Sequence, residues 1–156
     1  MTINDMTSTN TEKLPMWSHE ESIDTSAAPS RVWQLFADVA GWPRWNAGIA
    51  RIELHGAFAD GGSFSMQPPG EDAFTSTLCD VRVDEGFSDL TALGGTTVRV
   101  DHRIEPLPSG GSRVVYRTRI EGPDAADIGP MVTADFGDVL AALKRLAESP
   151  AGAIAA

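Results

Sequence analysis

From Ile49 to Gly122 the chain reads as one extended segment after another: IARIELHG, GSFSMQ, FTSTLCDVRV, GFSDLTAL, TTVRVDHRIE and SRVVYRTRIEG, each bounded by Gly or Pro. The breakers between them (DGG, PPGED, DEG, GG, PLPSGG) are mostly short enough for hairpins, so these consecutive strands form an antiparallel meander. A further strand precedes them. Trp17, His19, Glu21 and Ile23 alternate with Ser18, Glu20, Ser22 and Asp24, and the second set is polar throughout and therefore wet. A sheet with one wet face must cover the other, and the segment after Pro123 is the element long enough to do so. There Ile128, Val132, Phe136, Val139, Leu140, Leu143 and Ala147 recur at helical spacing, behind an Asp124/Asp127 variant of the capping box. Gly129 and Pro130 predict a kink in that helix, or a true start at Pro130.

Between the first strand and the meander lies SAAPSRVWQLFADVAGWPRWN. Ser26 is the expected N-cap, Pro29 fits the first turn, and Val32, Phe36 and Val39 make an apolar stripe with Leu35 beside it. Gly41 and Pro43 end the helix, leaving Trp42 and Trp45 in a tight second helical turn. At 156 residues the chain suits one domain, expected over 16–148. Residues 1–15, with almost nothing to bury, are expected to be a disordered tail, and 149–156 (SPAGAIAA) a flexible one.

Charge and motif content remove several function classes. A net charge of −10 lacks the basic footprint of a non-specific nucleic-acid or anionic-membrane binder. No stretch approaches the roughly 20 apolar residues of a membrane helix, and the polar start does not read as a signal peptide, so a cytoplasmic protein is expected. With Cys79 as its single cysteine, the chain can form neither an intrachain disulfide nor a Cys-based zinc site. Its 3 His include no pair at i+2 or i+4 and no HExxH, so no metal is assigned. There is no GxSxG elbow and no phosphate-binding glycine loop, which excludes triad hydrolases and P-loop enzymes. No cofactor is expected.

The order of elements, together with the stretches ID-T-SAAPSRVWQLFADVAGWPRW, VRVDHRIEPLPSGGSRVVYRTRIEGP and ALKRLAE, resembles the START/Bet v 1-like (SRPBCC) superfamily, and within it the polyketide cyclase/dehydrase branch. The resemblance spans Trp17 to Glu148. It implies an α+β helix-grip fold: a seven-stranded curved antiparallel sheet wrapped around a long C-terminal helix, with a short helical pair after the first strand. It also implies a space between sheet and helix. Relatives with this fold carry ligands, close and dehydrate rings, contact chaperones or bind lipids, so the fold alone leaves function open.

Alternation selects the candidate site. Val98, Val100, His102 and Ile104 share one strand face, Val114, Tyr116, Thr118 and Ile120 that of the next, and a hairpin centred near Ser109 sets His102 across from Tyr116. The resemblance makes the first strand the next neighbour, which would bring His19 and Glu21 to the same wall. Imidazole, phenol and carboxylate on an apolar cavity suit general acid/base work; equally, they suit a hydrogen-bond network that orients a ligand or completes the interior. Trp45, Phe64, Met66, Val100, Thr118 and Met131 join His102 and Tyr116 as expected ligand-lining residues, with Trp42 an end plug. His55 is expected to be exposed and Cys79 to be a small core residue. Arg99, Arg103, Arg113, Arg117 and Arg119 fall on the opposite face among Asp101, Glu105 and Glu121, which reads as cross-strand ion pairing.

The leading expectation is a small-molecule-binding protein for a hydrophobic ligand, aromatic or polyketide-like ones included. The alternatives are a cofactor-free cyclase/dehydratase using His102 and Tyr116, and a protein-interaction module. The expected partner is a small hydrophobic ligand, with a homodimer left open and neither nucleic acid nor membrane expected.

Overall fold

The computed structural model describes residues 14–150. Strand β1 (Met16–Thr25) is followed by helix α1 (Pro29–Ala37) and a 3-10 turn (Val39–Arg44). The meander follows: β2 (Arg51–His55), β3 (Ser63–Gln67), β4 (Phe74–Arg82), β5 (Gly86–Leu93), β6 (Thr96–Pro106) and β7 (Ser112–Glu121). Helices α2 (Ala125–Thr133) and α3 (Phe136–Glu148) close the described chain. The strands make one sheet of seven in the order β1-β7-β6-β5-β4-β3-β2. Every adjacent pair is antiparallel, so each hairpin places sequence neighbours side by side while β1 closes onto β7. Of the expected tails, 1–15 and 149–156, residues 1–13 and 151–156 lie outside the described residues.

One face of this sheet carries the core. Val98, Val100, Ile104, Val114, Tyr116 and Ile120 are buried on it, together with Phe64, Leu78 and Phe87 from the middle strands. Helix α1 adds Val32, Leu35 and Phe36, and α3 adds Phe136, Val139, Leu140 and Leu143, the residues of the two helical stripes. Trp42 is buried as expected of a plug, its Nε1 donating to the Phe36 carbonyl at 2.9 Å and its ring stacked on Phe87.

Three local expectations are corrected. Ser26 does not cap α1: the N-cap is Ala28, with Pro29 opening the helix. The Ser26 N–H instead donates to Glu148 Oε2 at 3.0 Å, and Thr25 Oγ1 donates to the same oxygen at 2.7 Å, tying the end of β1 to the end of α3. The C-terminal helix does not break at Gly129–Pro130 but continues through them and divides at Ala134–Asp135. Gly129 is required where it stands, because a Cβ there would lie inside the indole of Trp17, and its absence lets α2 settle on β1. Two shorter helices follow the sheet where one straight rod would not: α2 packs on β1 and β7, α3 on β1 and α1.

Cys79 is the third correction. It pairs with Ser88 on the outer face, beside inward-facing Leu78, and is half-buried rather than part of the core. The outer face is bound by ion pairs that differ in part from those expected. Arg99 bridges Asp101 and Asp80, Arg113 holds Asp24, Arg117 holds Glu20, and Arg119 approaches Asp101.

Candidate functional site

Register sets several polar groups of the inner face in two rows across the sheet. In the first, Phe87, His102, Tyr116 and Glu21 stand side by side on β5, β6, β7 and β1. In the second, Asp89, Val100, Thr118 and His19 do so. The pairing of His102 with Tyr116 is the one the hairpin centre predicts, and His19 and Glu21 lie on the adjoining strand, hydrogen-bonded to each other at 2.9 Å.

Aromatic rings enclose His102. Phe87 stacks on its imidazole with ring centroids 4.1 Å apart, Tyr116 meets it edge-on at 4.6 Å, and Phe36 does so at 6.0 Å. Phe136 of α3 then packs against Tyr116 at 5.3 Å, so the gripping helix directly covers this wall. Toward the other end, Trp42 bridges Phe64 and Phe87, and Trp45 packs against Phe36 and Trp42. Met66 is half-buried beside this core and Val100 is buried in it. Met131 is not brought to the group; it stands 77% exposed on α2. His55 is exposed, its Nε2 within 2.7 Å of Ser65 Oγ.

Asp89 is the inner-face residue the sequence reading passed over. Its Oδ2 lies 4.0 Å from His102 Nε2, and both side chains are 13% exposed, so solvent reaches this pair while Tyr116 and Thr118 beside it are closed off. A signal for it was present: in GFSDLTAL, alternation puts Asp89 on the same face as Phe87 and Thr91.

Burial sets the protonation of these groups. It pushes Asp89 up to about 7, helped by the negative charge of Asp101 across the sheet and opposed by Arg99. It pulls His102 down to about 3, so the imidazole is neutral at pH 7. Burial, with Asp89 and Asp135 nearby, raises the Tyr116 phenol, which stays protonated and able to donate. Among the described residues, three buried side-chain polar atoms have no protein partner: Trp45 Nε1, His102 Nδ1 and Thr118 Oγ1. Such atoms are uncommon in protein interiors, and two of these belong to the rows described above.

The arrangement sets one carboxyl, one neutral imidazole, one phenol and one hydroxyl among aromatic rings on the inner face of the sheet. Two recesses, of about 560 and 650 Å³, open on the surface elsewhere: one runs along Ser22, Asp24 and Arg113, the other along Pro29, Arg82 and Arg103. Neither is lined by His102, Asp89 or Tyr116. Among the described residues no cluster of His, Cys, Asp and Glu is suited to a metal, and no helix is long and apolar enough to cross a membrane.

A seven-stranded antiparallel sheet closed by a C-terminal helix over a mixed aromatic and polar wall defines the Bet v 1-like helix-grip class. Within it, the chain belongs to the polyketide cyclase / dehydrase and lipid transport family, whose model matches residues 16–148. No curated protein matches it in sequence. Among solved structures it is similar to truncated norcoclaurine synthase from Thalictrum flavum, with TM-score 0.73 and 14% identity over 90% of this chain and 98% of that one. Ara h 8.0201 is similar at TM-score 0.70 and 13% identity, covering 85% and 98%. The di-domain ARO/CYC StfQ of the steffimycin biosynthetic pathway is similar at TM-score 0.71 and 14% identity, covering 88% of this chain and 52% of that one. At these identities the likeness is one of fold.

Proposed function

We propose that the protein binds a small hydrophobic ligand, of aromatic or polyketide-like shape, between the inner sheet face and α3, with His102, Tyr116 and Thr118 orienting the ligand's polar atoms. The observation that carries this reading is the pair of polar rows set into an aromatic wall, with Thr118 Oγ1 and His102 Nδ1 buried and without a protein partner. A core selected for stability alone would fill these positions with apolar side chains, because an unmet buried polar group costs about 1–3 kcal/mol. The family's description, which names both cyclisation and lipid transport, is consistent with a ligand of this kind. Flat apolar compounds should raise the melting temperature in a dose-dependent way, since a ligand that binds only the folded state stabilises it by mass action. No shift across a varied panel would refute the reading.

A second reading, a cofactor-free cyclase or dehydratase, draws on the 4.0 Å approach of Asp89 to His102 with Tyr116 against the same imidazole. These three groups supply what proton transfer to and from an enolisable substrate requires. In an enzyme, His102→Ala would lower turnover roughly 10²-fold or more. In a binder it would cost about 0.5–1.5 kcal/mol of affinity, one hydrogen bond. Tyr116→Phe keeps the ring and removes the proton, separating donation from space-filling.

A further inference from the structure

Apart from its histidines, the inner wall carries ionisable groups of one sign. Among the described residues, the inner face of the strands carries Glu21 and Asp89 and neither Lys nor Arg, while the arginines of β6 and β7 all lie outside. Asp101, on the outer face, shows the contrast: it is held by Arg99 at 2.8 Å and accepts from Ser88 at 2.7 Å. Among the described residues Asp89 has no such cation. The basic group nearest it is His102, at 4.0 Å, which burial keeps neutral.

Two other features point to a ligand in the same place. Thr118 lies in the row of Asp89, fully buried on the inner face, with its hydroxyl unpartnered. Two strand spacings of about 4.8 Å separate their backbones, roughly 10 Å in all, the reach of an aromatic ligand with a polar group at each end. Both residues also adjoin the rings of Phe87 and Tyr116, on neighbouring positions of the same wall. The protein's net charge of −10 adds a field that favours approach of a cation.

We propose that Asp89 is the counter-ion for a cationic nitrogen, and that the interior takes an aromatic ligand bearing a protonated amine, with Thr118 meeting a polar group at its far end. This rests on the ligand-binding reading above and names the ligand's chemical class. The ammonium replaces the proton that burial otherwise keeps on the carboxyl, so binding releases that proton where Asp89 is still protonated. The groups facing Asp89 are His102 from β6 and Tyr116 from β7; Glu21 and His19 lie beyond them on β1, Asp135 near Tyr116 between α2 and α3, and Asp101 and Arg99 across the sheet. His102 and Tyr116 are neutral near pH 7 and leave Asp89 as the group that titrates there.

The test is calorimetric titration of the full chain with 2-(2-naphthyl)ethylamine and with its neutral isostere 2-propylnaphthalene, at pH values from about 6 to 8, in buffers of different ionisation enthalpy. The amine should bind about tenfold tighter than the isostere at about pH 8, the scale of one charge-assisted hydrogen bond. The preference should shrink as pH falls toward 6, with protons released on amine binding, because cation affinity follows the ionised fraction of Asp89. Asp89→Asn should abolish the preference, read as the ratio of the two affinities in the same variant, while Asp135→Asn should keep most of it. Equal binding of amine and isostere by the wild type, or a preference that survives Asp89→Asn, would overturn the counter-ion proposal and leave the ligand-binding reading standing. Failure of both probes to bind would overturn both.

Discussion

Replacing Asp89 by Asn should stabilise the protein at alkaline pH and change how its stability depends on pH. The native carboxyl holds its proton up to about pH 7, whereas in the unfolded chain it releases it near 3.8. Folding above pH 3.8 therefore takes up a proton, and stability falls as pH rises until the native group itself ionises near 7. The difference between the two values corresponds to roughly 4 kcal/mol. Solvent contact at the 13% exposed side chain lowers the realised figure, so a gain of about 2 kcal/mol is expected for Asp89→Asn at about pH 8. His102 acts in the opposite sense. Its native value of about 3 lies below the ordinary 6.5, so the unfolded chain binds the extra proton and stability falls as pH drops from 6.5 toward 3. Between about pH 4 and 6.5 the native state has one proton more at Asp89 and one fewer at His102, and the two slopes cancel. At these two positions the variant keeps only the His102 slope: its advantage should vanish toward pH 4, and its stability should fall with acid more steeply than the wild type's. Urea unfolding of both proteins at about pH 4, 6 and 8 measures this, and other titrating groups drop out of the comparison. An advantage that is absent at pH 8, or that stays constant across the range, would refute the assignment of a buried, uncompensated carboxyl.

Phe136→Asp should abolish cooperative unfolding, because it sets an unpaired charge against Tyr116 under the gripping helix and costs several kcal/mol of a margin of about 5–15; a cooperative melt would contradict the packing of α3. Gly129→Ala should lower stability by about 1–3 kcal/mol despite the roughly 1 kcal/mol that Ala adds in a helix, since the methyl group meets the Trp17 indole. Trp17→Ala in the same chain should remove that clash, and chemical denaturation of the single and double variants decides it. The Glu148 carboxyl is held down to about 2 by Lys144, Thr25 and the Ser26 N–H, so NMR titration should find it still ionised near pH 3, and Lys144→Met should bring it back toward the ordinary value.

Most of the architecture is legible because the residues that report it act locally. Gly and Pro punctuation marks each hairpin, and strict alternation assigns faces, so the opposition of His102 and Tyr116 follows from a turn centred near Ser109 alone. What failed depends on partners distant in sequence. Ser26 has the chemistry of an N-cap, yet Glu148 takes its N–H, a contact 122 residues away that no window around Ser26 contains. Gly129 and Pro130 carry strong helix-breaking signals, and tertiary packing overrides them: Trp17 fills the space the glycine leaves, and the division falls instead at Ala134–Asp135, where Asp135 stands three residues before Asp138, the spacing read as a cap at Asp124/Asp127 and passed over here. Met131 illustrates the same limit on helices. It follows directly on the expected start at Pro130, and with the helix beginning at Ala125 instead the residue expected over the wall is exposed.

The site was legible only in the half that follows from identity and face together. His102 and Tyr116 attract notice as chemical groups and alternation turns them inward; Asp89 was equally accessible to that reasoning, because Phe87, Asp89 and Thr91 share a face. An aspartate in a hairpin-rich, acidic chain reads as solvated by default, and only the pairing of β5 with β6 sets it beside a neutral imidazole. That pairing changes the chemistry expected of both residues. An exposed His near pH 6.5 would be the natural proton donor of the wall, but stacking on Phe87 under Phe36 takes that role from it. The carboxyl across the 4.0 Å gap becomes the group that titrates near neutrality, and so the position where a bound ligand's charge or proton would be met.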